Sequence, residues 1–81
     1  MISEVKSAEP LLLRLSRVVR QRREELGISQ EEISNRSGLH RTYISDVERG
    51  SRNLSLRNLI RLAWALEMSA SGLMVRIEDG D

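Results

Sequence analysis

Arg41, Thr42 and Ser45 precede or flank two apolar residues, Ile44 and Val47. On a helix, Ile44 and Val47 take one face, and Arg41, Thr42 and Ser45 fall on the other. An arginine so placed can donate two hydrogen bonds to guanine O6 and N7. A threonine offers a methyl group to thymine or a hydroxyl to a base, and a serine offers its hydroxyl. These types suit the reading of base edges in a DNA groove. Asp46 lies one turn beyond Thr42. A carboxylate there is repelled by phosphate unless it accepts from cytosine N4 or orients an arginine; the expected role is the second, with Arg49 or Arg41 as partner. Groups suited to phosphate surround this set. Arg49, Arg52 and Asn53 follow it. Tyr43 can donate its hydroxyl to a phosphate or pack on the preceding helix. Ser29 and Gln30 open another helix, where unpaired backbone N–H groups and the helix dipole favour an anion.

Those residues need elements to hold them. Ser29 is a good N-cap, and Glu32 three residues later completes a capping box. A helix over 30–37 follows, and Gly38 can close it in a left-handed conformation. A second helix runs over 41–49 and Gly50 stops it. Ile33 can pack against Ile44 and Val47, with Leu39 plugging the turn. The result is a helix-turn-helix over about 29–49. His40 falls at the N-cap of its second helix, where an imidazole caps less well than Ser, Thr or Asp; the alternative is a place near a phosphate.

Three further helices enclose this motif. One runs over 10–26, opened by Pro10, with Leu12, Leu15, Val19 and Leu26 on one stripe and Arg14, Arg17 and Arg20 away from it. Ser55 caps another over 56–66, with Leu56, Leu59, Leu62, Ala63 and Leu66 inward. Ser69 caps a last one over 70–77, whose Gly72 costs about 1 kcal/mol against alanine. Trp64 lies off the inward stripe. With Met68, Leu73, Met74 and Ile77 it is expected to form a dimer patch, the alternative being a Trp packed in its own core. The expected architecture is all-α: five helices around one core, with a flexible segment over 1–9, a DNA-binding domain over 10–78 and an acidic end over 79–81.

Composition bounds the reading. The 81 residues make one small domain, and 40% hydrophobic content supports one core. There is no Phe and no Cys. The missing cysteines exclude disulfides and thiolate metal sites and suit a reducing cytoplasm; one histidine makes a metal site a poor expectation. No apolar run has the length of a membrane span. The net charge is only +1, yet its distribution is uneven. Arg36, Arg41, Arg49, Arg52, Arg57 and Arg61 stand against only Asp46 and Glu48, whereas the chain beyond Leu66 carries Glu67, Glu78, Asp79 and Asp81 against Arg76. A basic stripe on one face is the electrostatic footprint of nucleic-acid binding.

Gly27-Ile28-Ser29-Gln30-Glu31-Glu32-Ile33, then Tyr43-Ile44-Ser45, then Glu48-Arg49-Gly50 resembles the phage-repressor-like (XRE, or lambda-repressor-like) DNA-binding family. The run Arg41-Thr42-Tyr43-Ile44-Ser45, followed by Glu48-Arg49-Gly50 and Arg52-Asn53-Leu54, resembles more particularly the controller proteins of bacterial restriction–modification systems. With the resemblance, Arg41, Thr42 and Ser45 are expected to contact bases; the family residue matching Gln30 commonly touches the DNA backbone, and Ser29, Gln30, Tyr43, Arg49, Arg52 and Asn53 are the expected phosphate contacts, Tyr43 with packing as its alternative. The resemblance further implies a semi-buried ion pair between Arg23 and Glu48, joining the first helix to the third.

The expectation is therefore a homodimeric, sequence-specific transcriptional regulator on a pseudo-palindromic DNA operator, working in the cytoplasm at the nucleoid, with RNA polymerase as a further expected partner. No cofactor is expected. A phage-type repressor, an antitoxin, or a helical protein-interaction module without DNA are the competing readings. No motif supports catalysis: a cysteine nucleophile, a Ser/His/Asp arrangement and a glycine-rich phosphate loop are all missing.

Overall fold

The computed structural model describes the backbone over residues 8–79 and side chains from Leu11 onward. Five helices follow one another: α1 (Ala8–Leu26), α2 (Gln30–Ser37), α3 (Arg41–Glu48), α4 (Leu56–Ala65) and α5 (Ala70–Asp79). The segment expected to be flexible, 1–9, lies outside the described residues except for Ala8 and Glu9, which already belong to α1. The end of the acidic tail, 80–81, lies outside them too. Pro10 stands in the first turn of α1, where its missing N–H removes no helical bond. Arg49 caps α3 instead of ending it, and α5 runs two residues beyond the expected Ile77.

α1 packs on α3 and α5, α2 on α3 and α4, and α4 on α5. The core gathers one apolar stripe from each helix: Val18 and Val19, Ile33, Ile44 and Val47, Leu62 and Leu66, and Leu73. Burying such side chains stabilises by about 1.5–3 kcal/mol each.

Three apolar assignments need correction. Leu73 and Ile77, expected at a dimer interface, are buried in the subunit's own core. They stand four residues apart on α5, on the face that docks against α1 and α4. Leu56, expected inward, is 72% exposed. With Ile60 and Trp64 it recurs every fourth residue along the flank of α4, beside the buried Leu62–Ala63–Leu66 face. Trp64 is 73% exposed.

The helix ends explain the turns. Ser29 accepts from the Glu32 N–H at 3.0 Å. The other half of the capping box is replaced, because the Glu32 carboxylate pairs with Arg36 Nε at 2.9 Å. Gly38 adopts φ +76° and donates its N–H to Ser34 O, which closes α2 and turns the chain towards α3. His40 occupies the N-cap of α3 and makes no side-chain capping bond. α4 ends without glycine: Glu67 holds φ +59°. Its N–H bonds Trp64 O and the Met68 N–H bonds Ala63 O, the paired pattern that usually recruits glycine. Two arginines secure this end, Arg22 Nε on Leu66 O at 2.9 Å and Arg36 on both Ala65 O and the Glu67 carboxylate at 3.2 Å.

Candidate nucleic-acid interface

The outward face of α3 is the product of its inward one. Ile44 and Val47 sink into the core, so Arg41 and Thr42 are exposed and Ser45 half-buried. Together with Gln30 from the start of α2, these three line one shallow surface depression. Four side chains rich in hydrogen-bond donors thus converge from both helices of the motif.

Beneath this face lies an ion pair. Arg23 Nε donates to Glu48 Oε2 at 2.7 Å and its Nη2 to Oε1 at 3.0 Å, a bidentate fork. Its Nη1 donates to Ile28 O at 3.0 Å. The Glu48 side chain is 3% exposed and that of Arg23 18%. The hydrogen bonds to Glu48 push the Arg23 pKa above its ordinary value, while burial opposes them. Gln30 joins in, with Nε2 donating to Glu48 Oε1 at 3.0 Å. One carboxylate therefore ties α3 to α1 and α2. The Gln30 amide is anchored on this side while sitting at the α2 N-terminus, where an anion would be favoured.

Asp46 forms a second cluster on the outer side. One carboxylate oxygen pairs with Arg49 and the other with Arg52 Nη2, the latter at 3.2 Å. Arg41, the other partner expected for Asp46, does not share the carboxylate; Arg52 from the following loop takes that place. Arg49 Nη1 also donates to Ser45 Oγ at 2.7 Å. The Arg52 guanidinium sits 5.0 Å from the centroid of the Tyr43 ring. Tyr43 packs against the core, donates its hydroxyl to Asn53 O at 3.4 Å and accepts from Asn58 Nδ2 at 3.1 Å. The ring is thus packed, and the hydroxyl is engaged by polar groups of the chain itself. The Asn53 side chain accepts from the Leu54 N–H at 2.9 Å. Asn58 was not among the expected site residues, because nothing local in α4 signals a bond to a tyrosine fifteen residues earlier.

Of the expected dimer residues, Trp64 and Met74 remain at the surface and Met68 is half-buried against the core. Among the described residues no three His, Asp or Glu side chains gather as they would around a metal ion. No described helix is long and apolar enough to cross a membrane.

Comparison with known proteins agrees with this geometry. The helix-turn-helix family matches residues 19–73. The control protein C.SmaI of Serratia marcescens is 48% identical over 62 residues, covering 76% of this chain and 74% of that protein. The crystal structure of the restriction–modification controller protein C.AhdI from Aeromonas hydrophila superposes with a TM-score of 0.73 at 42% identity, over 76% of this chain and 94% of that one. The controller protein C.Esp1396I, solved as a tetramer with its natural 35 base-pair operator, superposes with a TM-score of 0.79 at 37% identity, over 86% and 92% of the two chains. With its five helices, its buried Arg23–Glu48 fork and its polar α3 face, the chain belongs to the helix-turn-helix family of transcriptional regulators, among the restriction–modification controller proteins.

Proposed function

We propose that two copies of this chain bind a pseudo-palindromic DNA operator and regulate transcription of a restriction–modification system, including the chain's own gene. Each subunit lays α3 in a major groove. Arg41, Thr42 and Ser45 read base edges there. Ser29 and Gln30 at the α2 N-terminus, and Tyr43, Arg49, Arg52 and Asn53 around the end of α3, hold the flanking phosphates. Two-fold symmetry sets the two recognition helices about 34 Å apart, one turn of DNA. The protein acts in the cytoplasm at the nucleoid, by blocking or recruiting RNA polymerase.

The observation that carries the reading is the convergence of Gln30, Arg41, Thr42 and Ser45 on one exposed depression of the helix-turn-helix. An operator-bound relative with the same fold supports it. For the dimer, the outer face of α4 is the surface that supports a contact: among the described residues Leu56, Ile60 and Trp64 form an exposed apolar row, and aromatic residues are enriched in interface cores. Trp64, Met74 and the half-buried Met68 remain in this assignment, whereas Leu73 and Ile77 leave it.

The test is enrichment of duplexes from a random-sequence pool by the wild-type protein, followed by a salt titration on the enriched duplex. A dimer that neutralises on the order of 6–10 phosphates loses roughly 10³-fold or more in affinity between 50 and 200 mM salt. No enrichment, or a flat titration, would overturn the reading.

A further inference from the structure

An acidic side chain on a phosphate-binding face is an electrostatic liability, because it repels every duplex regardless of sequence. Asp46 is such a side chain. Glu48, two residues on, turns inward to Arg23, but Asp46 stays on the outer side of α3, its side chain 17% exposed. Its two carboxylate oxygens are divided between two arginines, Arg49 on α3's cap and Arg52 in the loop. Its backbone carbonyl accepts from the Ser51 N–H at 3.0 Å and from Ser51 Oγ at 3.1 Å. The chain from Arg49 to Arg52 is therefore gathered around one residue. Arg52 is fixed from a second direction by the Tyr43 ring, 5.0 Å from its guanidinium carbon.

We propose that Asp46 is a positioning residue for DNA binding: its carboxylate bridges Arg49 and Arg52 and presents the two guanidiniums to the phosphate backbone as one preordered pair. The inference rests on the DNA-binding reading above. A guanidinium has five donors in a rigid fork. Asp46 takes one nitrogen of Arg52, so the same guanidinium can hold a carboxylate on one edge and a phosphate on another. The rotamer freedom of both arginines is then lost on folding and not on binding, which favours the complex. Tyr43 contributes to the same aim by stacking.

The sign of one measurement decides. Affinities are taken on the duplex enriched by the wild-type protein, at fixed salt, for Asp46→Ala, Asp46→Asn, Arg52→Ala and the double variant Asp46→Ala/Arg52→Ala. If Asp46 acted by charge alone, its removal would tighten binding. Positioning predicts the opposite: Asp46→Ala binds on the order of tenfold more weakly, the size of one charge-assisted hydrogen bond. Asp46→Asn, which keeps one acceptor oxygen, falls between. In the Arg52→Ala background the loss shrinks, because one of the two positioned groups is already gone. Tighter or unchanged binding by Asp46→Ala overturns the proposal, as does an equal loss in both backgrounds. Melting curves identify any variant that fails to fold, and Asp46→Asn then carries the test alone. A wild type that enriches no duplex overturns the DNA-binding reading instead, so the two failures are distinguishable.

Discussion

Helix α3 carries two carboxylates two residues apart, and their surroundings give them different tasks. Glu48 lies 3% exposed between α1 and α2 and accepts from Arg23 and Gln30. Asp46 lies at the outer edge and bridges Arg49 and Arg52, whose side chains are exposed. The chemistry of both clusters is the same, acid against arginine. What separates them is the exposure of the arginines: Arg23 is 18% exposed, whereas Arg49 and Arg52 around the half-buried Asp46 are 60% and 49%. A buried charge without its partner is an uncompensated charge in a poor solvent, whereas an exposed one returns to water. The inner cluster ties α3 to α1 and α2, and the outer cluster, as proposed, sets where the two arginines point. The difference teaches that an ion pair's contribution is set by its solvent and not by its residues.

The largest effect that can break this comparison is on stability. Glu48→Ala strands Arg23 and Gln30 and should cost about 3–5 kcal/mol. For a domain of this size each kcal/mol lowers the melting temperature by roughly 4–8 °C. Asp46→Ala should cost only about 0–1 kcal/mol. Thermal melting by circular dichroism checks both; equal melting temperatures would abolish the distinction between the clusters.

A smaller effect sharpens it within the exposed set. Arg41→Ala should cost about 1–3 kcal/mol on the enriched duplex and less on a scrambled one, relaxing discrimination at one base pair per half-site. Arg52→Ala should weaken both duplexes nearly equally and reduce the salt slope by about 1 per subunit. Four affinities at one salt separate the two. If Arg41→Ala loses the same factor on both duplexes, Arg41 is a phosphate contact, and Thr42, Ser45 or DNA shape carries specificity.

The smallest effect concerns a third cluster, exposed like the outer one. Hydrogen bonds from Arg76 and then Arg22 hold the Glu25 carboxyl below its ordinary value of 4.5. Its ionised form is favoured in the folded state, so the stability it lends is present above about pH 4.5 and disappears as pH falls through the lowered folded value. Denaturation of Glu25→Gln and wild type should converge in acid and differ slightly at neutral pH. A difference that grows in acid would reverse the assignment.

The helix-turn-helix was legible because its signals are local. Ser29 as cap, Gly38 in the turn, and Ile33, Ile44 and Val47 at helical spacing all act within a few residues. The Arg23–Glu48 pair was legible only through family resemblance, since twenty-five residues separate the two. Contacts that depend on how helices dock were not legible. Arg52 reaches Asp46 from a loop, and Asn58 reaches Tyr43 from α4. Leu73 and Ile77 read equally well as core or interface, because an apolar stripe does not say which neighbour covers it. Leu56 shows the reverse: it fits the inward spacing of α4 yet lies at the margin of the stripe, beyond cover.

Trp64 is the chain's one tryptophan, and it stands in water on the folded subunit. Unfolding therefore changes the surroundings of this indole less than it would those of a buried one. Covering the outer face of α4 is a different matter, since that moves the indole into a drier environment and shifts emission to shorter wavelength. Circular dichroism follows the helices and the indole follows what meets them. With the proposed dimer through α4, folding and assembly would have separate spectral readouts in the unlabelled protein, and a dilution series would tell one from the other.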